Sequence, residues 1–238
     1  MTTSMDNKVR RRPTDLGKPR MRGWLHAYAF FVAAVCGVVL CALAATRPGV
    51  AAVISCAIYS ITVCGLFGVS ALYHRRVWSP RGYIIMRRLD HSMIFIFIAG
   101  TYTPFSVLLL PRATATVILC IVWGGALAGV AVGLIWPHAP RWVSAPLYLA
   151  LGWVAVVVLP DYLRFGGVTV LALLIAGGLA YTVGALFYAL RRPNPWPRTF
   201  GHHEFFHACT LVAAITHHIA VYFALFGAAA IVLPTMAG

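Results

Sequence analysis

Acidic side chains are nearly missing from this chain: five Asp and Glu stand among 238 residues, against 19 Lys and Arg. Only 10% of the residues are charged and 61% are hydrophobic, too little polar material to clothe a water-soluble domain, so a soluble enzyme or binding module is excluded. Six cysteines occur (Cys36, Cys41, Cys56, Cys64, Cys120 and Cys209), all inside apolar runs and none in a CxxC pair. They read as small packing residues, not as a disulfide frame. No internal repeat and no second domain is visible. The first 23 residues are too polar and basic for a cleavable signal peptide, and the run behind them is too long.

What the chain has instead is long apolar runs. They lie at about 24–46, 50–73, 90–110, 113–136, 142–160, 168–190 and 203–234, each long enough to cross a bilayer. The expected fold is an all-α membrane protein of seven transmembrane helices. Residues 1–23, which include Pro13, Gly17 and Pro19, form a basic tail expected to be disordered. Residues 24–238 form the transmembrane domain.

A net charge of +14 invites a nucleic-acid partner, but its distribution excludes one. Sixteen of the basic residues fall before the first run or in alternate loops, at positions 8–22, 75–88, 141 and 191–198. The other loops hold only Arg47, Arg112 and Arg164. This asymmetry sets a cytoplasmic N-terminus and an exterior C-terminus in a multi-pass protein of the inner (plasma) membrane. Trp24, Trp78, Trp136 and Trp142 read as interfacial anchors, and His26 and His138 as interfacial residues.

The scarcity of acids makes their places informative. Asp6 and Asp15 are in the tail and Asp161 is in an exterior loop, which leaves Asp90 and Glu204 beside histidines at membrane depth. Ser70 and His74 share a face at the cytoplasmic end of the second run. Asp90, His91 and Ser92 open the third, and His203 and His207 lie one turn apart at the start of the seventh. The charge count never used the histidines, yet it brings these clusters to one depth. Three neutral imidazoles and a water make a tetrahedral zinc site with an open position, and imidazole suits zinc better than magnesium or calcium.

Blander readings stand beside that one. His74 can meet lipid headgroups, His203 and His207 can be a polar helix start, and Asp90 can be a helix N-cap. His203–Glu204–Phe205–Phe206–His207 also fits the HExxH pattern of zinc proteases, with Glu204 as base, although Glu204 projects about 100° from its neighbour. His217 and His218 lie too deep to reach the same ion and read as cavity-lining or interhelical hydrogen-bonding residues. Thr101–Tyr102–Thr103–Pro104 is expected to kink the third helix.

Ser70–Ala71–Leu72–Tyr73–His74, Leu89–Asp90–His91–Ser92, Ala99–Gly100–Thr101–Tyr102–Thr103–Pro104 and Gly201–His202–His203–Glu204–Phe205–Phe206–His207 occur in the order of known motifs. In these the chain resembles the hemolysin III branch of the progestin and adiponectin-receptor (PAQR) superfamily, over nearly its whole length. The resemblance implies a seven-helix fold with zinc near the cytoplasmic face. It implies His74, His203 and His207 as ligands, with Ser70 and Asp90 beside the water that completes the site. The family's animal receptors are associated with ceramidase-type amide hydrolysis, and its bacterial members with hemolysis and membrane-fluidity homeostasis. The first expectation is therefore a zinc-dependent hydrolase of a lipid amide or ester, with Asp90 and Ser70 catalytic and membrane lipids as substrate or ligand. A non-enzymatic sensor of membrane state with a structural zinc comes second, and a pore-forming cytolysin last.

Overall fold

A computed structural model describes residues 18–136 and 140–227. It consists of α1 (Trp24–Ala44), α2 (Val50–Arg75), α3 (Pro80–Leu109), α4 (Arg112–Ile135), α5 (Arg141–Gly152), α6 (Leu159–Leu190) and α7 (His202–Gly227), with a 3-10 segment, Trp153–Val158, between α5 and α6. No β-strand occurs among the described residues. The expected disorder of residues 1–17, the placing of His138, and the end of the last run beyond Gly227 lie outside the described residues.

Among the described residues, six helical stretches are long and apolar enough to cross a bilayer, so the protein is an all-α, multi-pass membrane protein. One of the six, Trp142–Leu190, is 49 residues long and contains both runs predicted at 142–160 and 168–190. It is not a single rod. Gly167 breaks the helix with φ 78° and ψ 176°. The Trp153 indole donates to the Thr182 hydroxyl at 3.0 Å, whereas a straight helix would hold these residues about 43 Å apart. The chain therefore doubles back between them.

α3 occupies the centre. Its apolar window is 67% buried, against 22% for α1 and for α4, and it touches α2, α4, α5, α6 and α7. α1 packs on both α2 and α7, so the first and last helices are neighbours. On the outer faces large apolar side chains such as Phe31, Val38 and Val157 stand exposed, as a hydrocarbon surround allows. The six cysteines remain free thiols on helices. Irregular backbone beside α3 is satisfied by one phenol: the Tyr102 hydroxyl accepts from the Ala155 N–H at 2.7 Å and donates to the Gly152 carbonyl at 2.6 Å.

α3 begins about three turns before the predicted start at residue 90. Ser79 accepts the Gly82 N–H at 3.2 Å as the N-cap, and Pro80 takes the first helical position. Hydropathy misses this start because Arg81, Arg87 and Arg88 make the first turns polar. Asp90 is consequently mid-helix, and its reading as a helix N-cap is overturned. α3 also runs unbroken through Pro104.

The segment ahead of α1 packs on the loop between α6 and α7. The N–H groups of Arg20 and Met21 donate to the carbonyls of Arg198 and Thr199 at 3.0 and 3.2 Å. Residues 18–23, the end of the predicted tail, thus lie against the α6–α7 loop.

Candidate metal centre

Two helices supply the imidazoles. The last two turns of α2 carry Ser70 and His74, one turn apart and both buried; the first turns of α7 carry His203, half-buried, and His207, buried, also one turn apart. Nε2 of His74 lies 3.0 Å from Nε2 of His203. One ring nitrogen from each of His74, His203 and His207 falls within a common 4.8 Å. Zn–N bonds of about 2.0–2.1 Å at tetrahedral angles would set such nitrogens roughly 3.3 Å apart. The donor type, the burial and the spacing fit a metal ion of that kind with small side-chain adjustments.

α3 adds the acid. Oδ2 of Asp90 is 4.0 Å from Nε2 of His74 and 3.9 Å from Nδ1 of His91, and the Ser70 side chain lies against the carboxylate. His91 is held on both sides: Nδ1 donates to the Arg87 carbonyl at 2.8 Å, and Nε2 lies 3.4 Å from the Tyr188 hydroxyl. It flanks Asp90 instead of joining the triad. The structure thus gathers Ser70, His74, Asp90, His203 and His207, from three helices.

Glu204 has a different task from the one HExxH implies. Its Oε2 accepts the Gly201 N–H at 2.8 Å, which is half of a capping box at the start of α7. Its Oε1 pairs with Nε of Arg22. With both oxygens engaged and 1% of its side chain exposed, Glu204 is a cap and an anchor for the segment before α1.

That segment is tightly fitted. Gly23, with φ 77°, is the N-cap of α1, and a Cβ there would come within 2.8 Å of the His74 Cβ. Only glycine suits both the backbone conformation and the gap. One turn on, His26 is 2% exposed and stacks on His207, so it is packed among helices beside the triad. Sequence reasoning missed His26 and Arg22. The depth argument that gathered the other histidines applies equally to the start of α1 and would have found His26. The Arg22 pairing had only a capping-box glutamate as its signal.

The triad opens into a cavity of about 430 Å³ that runs between α3, α6 and α7 as far as His217. Its floor and walls are largely apolar, with Ile98, Phe105 and Leu159 among them, and its polar end holds Ser70, Asp90 and the three histidines. As expected, His217 does not join the triad; it lines the cavity and bonds to the Leu174 carbonyl.

A family profile described as "Haemolysin-III related" matches residues 14–218. The "Hemolysin-3 homolog" of Bacillus subtilis (strain 168) is 30% identical over 172 residues, 72% of this chain and 77% of the relative. The "Hemolysin-3" of Bacillus cereus is 33% identical over 60% of this chain and 66% of its own length. The "Heptahelical transmembrane protein ADIPOR2" of Oryza sativa subsp. japonica is 34% identical over 60% of this chain and 69% of that protein.

Proposed function

The chain belongs to the haemolysin-III-related family, within the PAQR superfamily of multi-pass membrane proteins, and from that premise we propose that it is a zinc-dependent hydrolase of a membrane-lipid amide or ester. The family and the apolar helices make it a plasma-membrane protein in contact with lipid. Seven spans with a cytoplasmic N-terminus are part of the proposal. The reversal at Gly167 supports the count, as does the heptahelical description of the rice relative. The asymmetry of basic loops supports the orientation.

One observation carries the reading. A cluster of three imidazoles, two buried and one half-buried, has a carboxylate beside it that is not one of the three, at one end of a largely apolar cavity. His74, His203 and His207 would hold zinc, which when bound supplies a Lewis acid to polarise a carbonyl and acidify water. Asp90 would accept a proton from water at Oδ2 and return it to the leaving group; its carboxylate 4.0 Å from His74 supports that role. The Ser70 hydroxyl donates to that carboxylate and orients it; once Asp90 holds the proton and can itself donate, the Ser70 O–H would be free to turn toward developing negative charge. The apolar walls take the acyl chain and exclude water from it.

The test is turnover of a panel of ceramides and other lipid amides and esters by purified protein in nanodiscs, with zinc measured on the same samples. Asp90→Asn is expected to keep its zinc and lose activity by about 10²-fold or more. Undiminished turnover in that variant removes Asp90 from the mechanism.

A second reading has its own observation: the cluster joins α2 to α7, so a metal there would staple the bundle and suit a sensor of membrane state. Zinc binding with no turnover of any lipid, and a change in helix packing on chelation, would favour it. Pore formation stands last; its test is conductance across liposomes by the purified protein.

A further inference from the structure

The deep end of the cavity holds polar atoms that lipid hydrolysis at the histidine cluster does not employ. His217 lies ten residues beyond His207 on α7, about 15 Å along the helix axis. Its Nε2 is 3.2 Å from the Leu174 carbonyl oxygen. A carbonyl can only accept, so Nε2 carries the hydrogen and Nδ1 keeps a lone pair with no partner. The Tyr181 hydroxyl is also buried and without a partner, while that of Tyr162 meets the Ser106 side chain.

These groups share one pocket. The Tyr181 ring stands edge-on to His217 at 5.6 Å; Tyr162 meets Phe105, which in turn meets His217 at 6.3 Å. All three polar side chains line the cavity, and His217 and Tyr162 are only 8% and 1% exposed. The close fit depends on Gly177, where a Cβ would collide with the His217 ring. Glycine there lets α6 bring the Leu174 carbonyl to the imidazole and so fixes which nitrogen is open. Buried polar atoms in a protein interior ordinarily find partners, the more so within a bilayer.

We propose that this is a second polar subsite, which binds a hydroxyl carried partway along the apolar chain of an amphiphile. A hydroxyl matches the open groups: it donates to Nδ1 of His217 and accepts from the Tyr181 phenol. A carbonyl cannot use Nδ1, and a plain alkyl chain leaves every open atom unpaired. The inference rests on the hydrolase reading only in placing the amphiphile's head at the histidine cluster.

The test is displacement of a fluorescent fatty acid from the full-length protein in nanodiscs. The competitors are stearic acid, stearic acid hydroxylated at mid-chain, and stearic acid hydroxylated beside the carboxyl. The mid-chain hydroxy acid is expected to bind at least about tenfold more tightly than the other two. Tyr181→Phe and His217→Leu should each abolish that preference and leave the affinity for stearic acid intact. Tyr181→Phe removes a single oxygen and serves if the His217 variant does not fold. Equal displacement by all three acids overturns the proposal and assigns the open atoms to ordered water. A preference that survives both substitutions overturns it too, as does failure of every acid to displace the probe. The readout needs no turnover: a protein that hydrolyses nothing can show the preference, and a hydrolase without it loses this inference alone.

Discussion

The imidazole of His26 lies flat on that of His207, with ring centroids 3.8 Å apart and planes inclined by 14°. Phe67 closes the other flank of His26 at 5.1 Å. α1 thereby fixes the orientation of an imidazole that α7 contributes to the proposed zinc site. If the stack is what counts, His26→Ala should weaken zinc binding about tenfold or more, and His26→Phe, which keeps a flat ring, should recover most of it. Competition against a calibrated chelator measures both; a loss in His26→Phe as large as in His26→Ala would assign the role to the nitrogens.

Metal content tests the triad itself. Wild-type protein purified without chelators is expected to carry about one zinc per chain. His74→Ala, His203→Ala and His207→Ala should each bring it close to zero, because two imidazoles hold the ion far more weakly. Elemental analysis decides, and wild-type levels in any one variant would strike that residue from the ligand set.

The Arg22–Glu204 pair gives a stability prediction. Arg22→Ala strands a buried carboxylate and should destabilise the protein by about 2–3 kcal/mol, at the low end for a broken pair because Arg22 is part-exposed. Adding Glu204→Gln should restore much of that in thermal unfolding. Glu204→Gln alone should keep zinc and turnover; loss of turnover with zinc retained would revive Glu204 as a base of the HExxH kind.

Gly23 offers a substitution of one carbon. Gly23→Ala asks an L-residue to hold positive φ, at about 1–2 kcal/mol, and sets its methyl against His74. A lowered unfolding temperature together with weaker zinc binding is expected. Unchanged zinc affinity would mean that α1 can shift without moving His74.

How much of this was legible in the sequence depends on what each feature rests on. Apolar runs follow from the bilayer's demand for continuous hydrophobicity, so α1, α2, α4 and α7 begin within a residue or so of their expected places. The start of α3 was hidden because Ser79 and Pro80 govern it by local capping while the residues after them are polar. The histidines of α2 and α7 and the acid of α3 could be brought together from charge bias alone, since one membrane depth constrains them all. His26 obeyed the same constraint and was passed over, because a single histidine near a helix end looks interfacial. The Arg22–Glu204 pair was beyond reach: it depends on residues 18–23 settling on the α6–α7 loop, a packing outcome with no periodicity to announce it.

The placing of the three imidazoles also bears on how the protein is made. His74 leaves the ribosome 129 residues before His203, so for most of synthesis the site is a single histidine that grips nothing well. The helix that completes it is the last of the described helices to enter the membrane, and the same helix receives Arg22 from the segment ahead of α1. On the proposed ligand set, loading with metal would therefore be a late event: a product cut short before α7 would carry the other described helices and lack two of the three imidazoles.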